Sequence, residues 1–123
     1  MLSYRIDGHR RLIMTTASGR LTIEQALDHL DRLTNDPEFD PSFRLLGDYR
    51  NATFSELTPE FLRRIVDRAV TIAAPRRAYV VSSETQAGIV RVAKVYGELA
   101  GRSGEVRLFD DIDAATAWLL AEA

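Results

Sequence analysis

The chain has 123 residues, of which 46% are hydrophobic and 28% are charged. This length suits one compact domain and is too short for two of ordinary size, and the composition excludes general disorder. Sixteen basic and 18 acidic side chains give a net charge of −2, which argues against nucleic-acid binding through bulk positive charge. With no cysteine and only His9 and His29, the chain offers no disulfide, zinc–thiolate site, cysteine nucleophile or histidine-rich metal centre. We therefore expect one domain spanning residues 1–123, with no metal and no other cofactor.

The sequence shows no targeting or membrane-spanning segment. The N-terminus has no apolar run followed by a small-residue cleavage site, and no window approaches about 18 uninterrupted apolar residues. We expect a cytoplasmic protein without stable membrane insertion. Lysine occurs once, at Lys94, and every other basic residue is arginine. Together with abundant alanine, this indicates the codon bias of a GC-rich bacterial genome rather than a set of functional arginines.

Two antiparallel strands are predicted at the N-terminus. Leu2 to Ile6 alternate between apolar and polar residues, which is typical of a half-buried strand. Asp7-Gly8 favours a turn, and Arg11 to Thr16 returns as the second strand. Ser18-Gly19-Arg20 breaks the strand pattern.

The first predicted helix begins at Thr22. The spacing Thr22-x-x-Gln25 is that of a capping box, and the helix must end before Pro37. Its apolar residues recur with the helical period of 3.6. His29 has acidic neighbours, which predicts that its side chain faces solvent.

A short strand, an irregular segment and a second helix follow. Phe43 to Leu46 predicts a short apolar strand closed by Gly47-Asp48. Tyr49 to Leu57 predicts the longest irregular stretch of the domain. Thr58-Pro59 supplies an N-cap followed by proline at the first helical position, and the apolar pattern continues to Pro75, which stops the helix.

The C-terminal part predicts two strands and two helices. Ala78 to Val81 is a continuous apolar run, as expected for a strand covered on both faces. Ser82-Ser83 caps the next helix, which Gly101 ends. Glu105 to Phe109 is the last strand, and Asp110-Asp111 opens the terminal helix.

This order, β-β-α-β-α-β-α-β-α, predicts an α/β domain with a mixed, mostly parallel five-stranded sheet flanked by four helices. The N-terminal strand is antiparallel, and right-handed crossovers join the strands that alternate with helices. The helices either cover both faces of the sheet or segregate with some on one face.

Several segments carry a family resemblance over nearly the whole chain: the N-terminal hairpin, Gly19-x-Leu21-Thr22, Phe43 to Asp48, Glu105 to Asp110, and Ala114 to Leu119. On these segments the chain resembles the SpoIIAA-like family. That family lies within the STAS superfamily (sulfate transporter and anti-sigma-factor antagonist), which has SEC14-like relatives. The resemblance implies a STAS-like fold and a binding or regulatory role.

The anti-sigma-antagonist branch of that superfamily carries a phosphorylatable serine in an Asp-Ser-Ser-Gly-like turn after the third strand. The corresponding stretch here, Asp48 to Thr58, lacks this motif and is longer. Ser55 and Thr58 are the nearest hydroxyls. Thr58 is more simply an N-cap, and a phosphate on Ser55 would meet the like charge of Glu56.

The strand-to-helix turn of Ser82 and Ser83 could hold either a serine nucleophile or a bound anion. A hydrolase would place its nucleophile there, but Gly-x-Ser-x-Gly is absent and neither histidine has an obvious route to act as base. We therefore interpret both serines as caps and predict no catalytic residue. A small anion could instead bind the free amides after Ser83, with Arg50 as counter-charge, although no glycine-rich phosphate loop supports this site.

A protein-binding patch is predicted before the second helix. Tyr49, Phe54 and Leu57 crowd this segment, and the helix from Pro59 to Ala74 has apolar residues spread wider than one buried stripe. Such surplus apolar surface suggests a homodimer face or a protein partner. A helix packed against both the sheet and the C-terminal helix would account for the same pattern.

We therefore expect a non-enzymatic STAS-like binding or regulatory module that acts through protein–protein contacts, with a homodimer or another protein as partner. The alternative is a SEC14-like carrier or sensor of a small apolar or anionic ligand. The predicted ligand- or partner-binding residues are Asp48, Tyr49, Arg50, Phe54, Ser55, Leu57, Ser82 and Ser83.

Overall fold

The computed structural model describes residues 1–122 and has the predicted element order. Within these residues, none of the helices is both long and apolar enough to span a membrane. The elements are β1 (Leu2–Asp7), β2 (Leu12–Arg20), α1 (Ile23–Thr34), β3 (Arg44–Thr53), α2 (Pro59–Ala69), β4 (Arg76–Val80), α3 (Glu84–Leu99), β5 (Glu105–Phe109) and α4 (Ile112–Leu120).

The five strands form one mixed sheet in the order β1-β2-β3-β4-β5. β1 is antiparallel to β2, and the three other neighbouring pairs are parallel, as predicted. From β2 onward each strand is added beside its predecessor in the same direction. Right-handed crossovers therefore place α1, α2 and α3 on one face of the sheet. The fourth helix, α4, covers the opposite face through contacts with β3, β4 and β5.

Each face of the sheet has its own apolar layer. Leu12 and Ile13 are adjacent in β2 and both fully buried, but they point to opposite faces because side chains alternate along a strand. Ile13 packs with Leu33 and Ile72 on the side of α1–α3, and Leu12 packs with Leu119 on the side of α4. Helices cover both faces of the sheet, so successive residues of a central strand are buried on alternate faces. This burial explains the continuous apolar runs in the sequence.

The predicted ends of β2 and β3 are wrong. Ser18-Gly19-Arg20 was expected to end the second strand, and Tyr49 to Leu57 was expected to be irregular. Instead, residues 18–20 pair with residues 51–53 after a register shift between Thr16 and Ser18, where β3 contains one extra residue. Such a bulge adds a residue to one strand, and Gly19 adopts a φ of +70° that glycine accepts without strain. Neither segment by itself shows the residue pattern of a strand. Each is held as a strand by its pairing with the other segment.

The helix α2 begins as predicted and ends early. The Thr58 hydroxyl accepts a hydrogen bond from the Phe61 N–H, which confirms the N-cap. The helix ends at Ala69 rather than near Pro75. Ile72 and Ala74 are nevertheless buried, so the apolar pattern continues into a non-helical segment that packs on the same core.

Candidate functional site

The arginine of the predicted anion site at the carboxyl edge of the sheet has an intramolecular partner. The Arg50 Nη2 and Nε donate to the two carboxylate oxygens of Asp48 at 2.9 and 3.0 Å. This bidentate contact holds the pKa of Asp48 below its usual range. The charge of Arg50 is therefore paired with a carboxylate within β3, and anion binding at the start of α3 stays a prediction.

The two serines at this edge have structural partners. Ser83 caps α3 by accepting the Gln86 N–H at 3.2 Å, which confirms its predicted role. The Ser82 hydroxyl donates to the carbonyl of Arg50 at 2.9 Å, and so joins the end of β4 to β3 rather than capping a helix. The buried Gln86 side chain completes the junction through the Ala52 carbonyl at 2.9 Å. Within residues 1–122 neither histidine hydrogen-bonds to either serine.

Strand alternation divides the predicted binding residues between the two faces of the sheet. Asp48 and Arg50 share the face of α4, whereas Tyr49 points toward α1–α3. The Tyr49 ring stacks on Tyr79 with centroids 5.6 Å apart, and it meets Phe54 edge-on at the same distance. Tyr49 therefore belongs to an interior aromatic cluster and not to the edge that the sequence predicted.

Two residues of the predicted partner patch also lie in the interior. Phe54 and Leu57 are each 9% exposed and pack with Ala17 and Leu21. The apolar residues before α2 thus complete the core on the side of α1–α3. Ser55 is exposed in the turn between them. A binding role for these residues, and a homodimer or protein partner, stay predictions.

A cavity of about 140 Å³ lies between the sheet and the helices α1, α2 and α3. Sequence reasoning did not identify it, because its walls come from residues far apart along the chain. The residues that line it are mostly apolar, and they include Leu30, Leu62, Ile65, Val66, Ile72 and Val90.

Gly47 shapes the floor of this cavity. The strand register places Thr15, Gly47 and Tyr79 side by side across β2, β3 and β4. A Cβ on Gly47 would come within 2.8 Å of the Tyr79 ring, so the absent side chain leaves the room in which that ring lies. A glycine inside an apolar strand often marks such a close approach, and it was the local signal that could have pointed here.

His29 lines the cavity and is buried, so the prediction that its side chain faces solvent is wrong. It is 6% exposed, its Nε2 lies 3.3 Å from the Thr15 hydroxyl, and its ring meets Tyr4 edge-on. Burial, with a smaller contribution from the charge of Arg32, lowers the pKa of His29 to about 4. The Nδ1 atom has no hydrogen-bond partner within residues 1–122. Position 29 lies on the buried face of α1 together with Ala26, Leu30 and Leu33. The prediction failed because it relied on the acidic neighbours of His29 and not on its place in the helical repeat.

Arg77 is the most deeply buried charged residue that lines the cavity. It is 3% exposed on β4, between Leu45 and Val106 in the register. One Nη donates to the carbonyl of Ile72, whereas Nε has no partner and the guanidinium forms no ion pair within residues 1–122. The sequence analysis did not single out Arg77, because codon bias explained the high arginine content of the whole chain.

Arg102 approaches the same cavity from the end of α3. Its guanidinium packs against Gly97, where a Cβ would overlap it. Burial lowers the pKa of Arg102, and the positive charge of Arg77 adds to this effect. Together with Lys94, the cavity lining therefore contains three cationic side chains, and no carboxylate from the described residues lines it.

One solved structure shows the same architecture. The crystal structure of an uncharacterised protein from Shewanella loihica PV-4, of the DUF3478 family with a SpoIIAA-like fold, is similar with a TM-score of 0.66. The similarity covers 96% of this chain and 93% of that chain, at 20% sequence identity. The chain therefore has a SpoIIAA-like fold, which confirms the predicted fold class. A scan against protein-family models and a search of curated proteins found no match.

Proposed function

We propose that this protein is a non-enzymatic binding module that holds a small, largely apolar molecule between its sheet and α1–α3. The observation that carries this proposal is the cavity of about 140 Å³. An engineered apolar cavity of about 150 Å³ in another protein binds benzene, so this volume suits a compact ligand of about six to nine non-hydrogen atoms. The proposal corresponds to the ligand-carrier alternative that the sequence left open.

Packing supports the same proposal. Protein interiors are close-packed, so apolar side chains that border unfilled space lack contacts that they would otherwise make. A ligand that occupies the space of about 140 Å³ supplies those contacts, so binding stabilises the fold.

The polar groups near the cavity favour binding over chemistry. His29 is neutral at physiological pH and contacts Thr15, while Ser82 and Ser83 are engaged in backbone hydrogen bonds at the sheet edge. Nucleophilic catalysis requires a nucleophile within hydrogen-bond reach of its base. The pair around the cavity that meets this condition is Thr15 and His29, 3.3 Å apart, but a pKa of about 4 makes His29 a weak base at physiological pH. A binding role requires no such base.

The proposal is tested with benzene and toluene as neutral probes. We expect both to raise the thermal midpoint of the wild-type chain and to shift the ¹⁵N NMR signals of α1–α3. Ala26→Leu adds a side chain inside the cavity and should weaken binding by at least about tenfold, which corresponds to about 1.4 kcal/mol. Ala114→Leu makes a similar change on an exposed face of α4 and is the matched control.

Unchanged spectra and an unchanged midpoint at probe saturation would refute the binding role. Equal loss of affinity in Ala26→Leu and Ala114→Leu would place the probes outside this cavity, and would also refute it.

A further inference from the structure

We propose that the natural ligand is a small apolar carboxylate, with its acid group bound by the guanidinium of Arg77 and its apolar part among the leucines and isoleucines of the cavity. This inference rests on the proposed function and specifies the chemical class of its ligand.

The first argument is the unsatisfied charge of Arg77. The side chain is 3% exposed, and within residues 1–122 it forms one hydrogen bond, to the Ile72 carbonyl, and no ion pair. Transfer of an unpaired charge from water to the protein interior is strongly unfavourable, so buried charges normally have a partner. An anion in the cavity would supply that partner.

The second argument is the sign of the charges around the cavity. Lys94, Arg77 and Arg102 line it, and no aspartate or glutamate of the described residues does. Composition does not explain this asymmetry, because acidic residues outnumber basic ones in the whole chain. Lys94 pairs with Glu98 at 4.0 Å, so Arg77 and Arg102 contribute most of the positive potential that would attract an anionic group.

The third argument is that Arg77 and Arg102 both line the cavity, while Glu98, the carboxylate whose charge acts on Arg102, also pairs with Lys94. Arg77 and Arg102 are close enough for the charge of one to lower the pKa of the other. Gly97 provides the space that Arg102 occupies. A carboxylate between the two guanidinium groups would convert this repulsion into two attractions.

The fourth argument concerns the hydroxyls beside Arg77. Tyr49 and Tyr79 line the cavity as a stacked pair, and within residues 1–122 neither hydroxyl has a hydrogen-bond partner. Burial raises the pKa of Tyr49, so this phenol keeps its proton and remains a donor. A carboxylate accepts hydrogen bonds from both a guanidinium fork and phenol hydroxyls.

The small volume decides between carboxylate and larger anions. A space of about 140 Å³ accommodates an aromatic ring or a short alkyl chain with one planar acid group. The planar guanidinium matches a carboxylate through two parallel hydrogen bonds. A phosphate dianion would bring a second charge into a mostly apolar cavity, at a larger desolvation cost.

The test compares benzoate with benzamide, which has nearly the same shape without the charge, by calorimetric titration of the full chain. We expect wild type to bind benzoate at least about tenfold more tightly than benzamide. Arg77→Met should remove this preference and leave the benzamide affinity within about threefold. Arg77→Lys keeps the charge but loses the fork, so it should retain part of the preference.

Arg107→Met is the control for net charge, because Arg107 lies on β5 on the opposite face of the sheet, against Trp118. It should bind benzoate like wild type. If Arg77→Met fails to fold, Arg102→Met tests the same group of charges from the border of the cavity and should weaken benzoate binding several-fold.

The outcomes separate the two proposals. Binding of benzamide, benzene and toluene without any preference for benzoate would overturn the carboxylate assignment and leave the cavity function intact. A benzoate preference that persists in Arg77→Met and Arg102→Met would also overturn this assignment. Failure of every probe to bind would overturn the proposed function itself.

Discussion

Among single residues, His29 shows most clearly how the interior changes chemistry. Its ring lies between Thr15 and Tyr4, and burial favours the neutral imidazole. Arg32 opposes protonation and Asp28 favours it, but the burial effect is larger than both. Acidification must therefore force a charge into the interior or unfold the protein.

We expect His29 to make stability depend on pH between about 6.5 and 4. The pKa of His29 is about 4 in the folded chain and about 6.5 when unfolded, so its contribution is complete above pH 6.5 and is lost as the pH falls toward 4. At pH 4.5 this loss is about 2.5 kcal/mol. Urea unfolding of wild type and His29→Gln at pH 7.5 and 4.5 measures it.

His9→Gln is the control, because His9 is exposed in the turn after β1. Carboxylates such as Asp48 also lose stabilising contacts in acid, so the difference between variants is the informative quantity. Equal losses in wild type and His29→Gln would show that His29 is not the responsible group.

At the scale of single elements, helix starts were the most predictable features. Thr22 and Gln25 form the predicted capping box, and Thr58 and Ser83 cap their helices. Each cap joins residues three positions apart, so the sequence nearby contains both partners. The ends of β2 and β3 were not predictable in this way, because residues 18–20 and 51–53 become strands only by pairing with each other.

The helix α3 provides a matched pair of glycine substitutions. Alanine in a helix is more stable than glycine by about 0.5–1 kcal/mol. A Cβ at Gly88 meets open space, whereas a Cβ at Gly97 would displace the guanidinium of Arg102. We expect Gly88→Ala to raise the free energy of unfolding by that amount and leave benzoate binding unchanged. Gly97→Ala should weaken benzoate binding several-fold.

Denaturant unfolding and calorimetric titration of the two variants provide both quantities. Equal benzoate affinities for Gly88→Ala and Gly97→Ala would contradict a role for the position of Arg102.

At the scale of the whole molecule, the sheet separates a structural face from the face with the cavity. On the side of α4, Leu119 is fully buried with Leu12, Leu46 and Ala78. The cavity lies on the opposite face, between the sheet and α1–α3. Changes on the two faces should therefore affect different properties.

We expect Leu119→Ala to lower the free energy of unfolding by about 2–5 kcal/mol, because it leaves a cavity in the layer between α4 and the sheet. The affinity of the folded protein for benzene should not change. The exposed neighbour Leu120 is the control, and Leu120→Ala should alter stability by less than about 0.5 kcal/mol. A large loss of benzene affinity in Leu119→Ala would show that the two faces are coupled.

The element order, the fold class and the helix caps followed from the sequence, because apolar periodicity and hydrogen bonds between near neighbours are local properties. The cavity did not follow. In the sequence, Gly47 is a glycine at the predicted end of a strand, Arg77 is one arginine among many, and His29 is a histidine beside acidic residues. Their convergence depends on strand register and on which face each helix covers. Strand register and helix packing are relations between distant segments, so the sequence of one segment does not determine them.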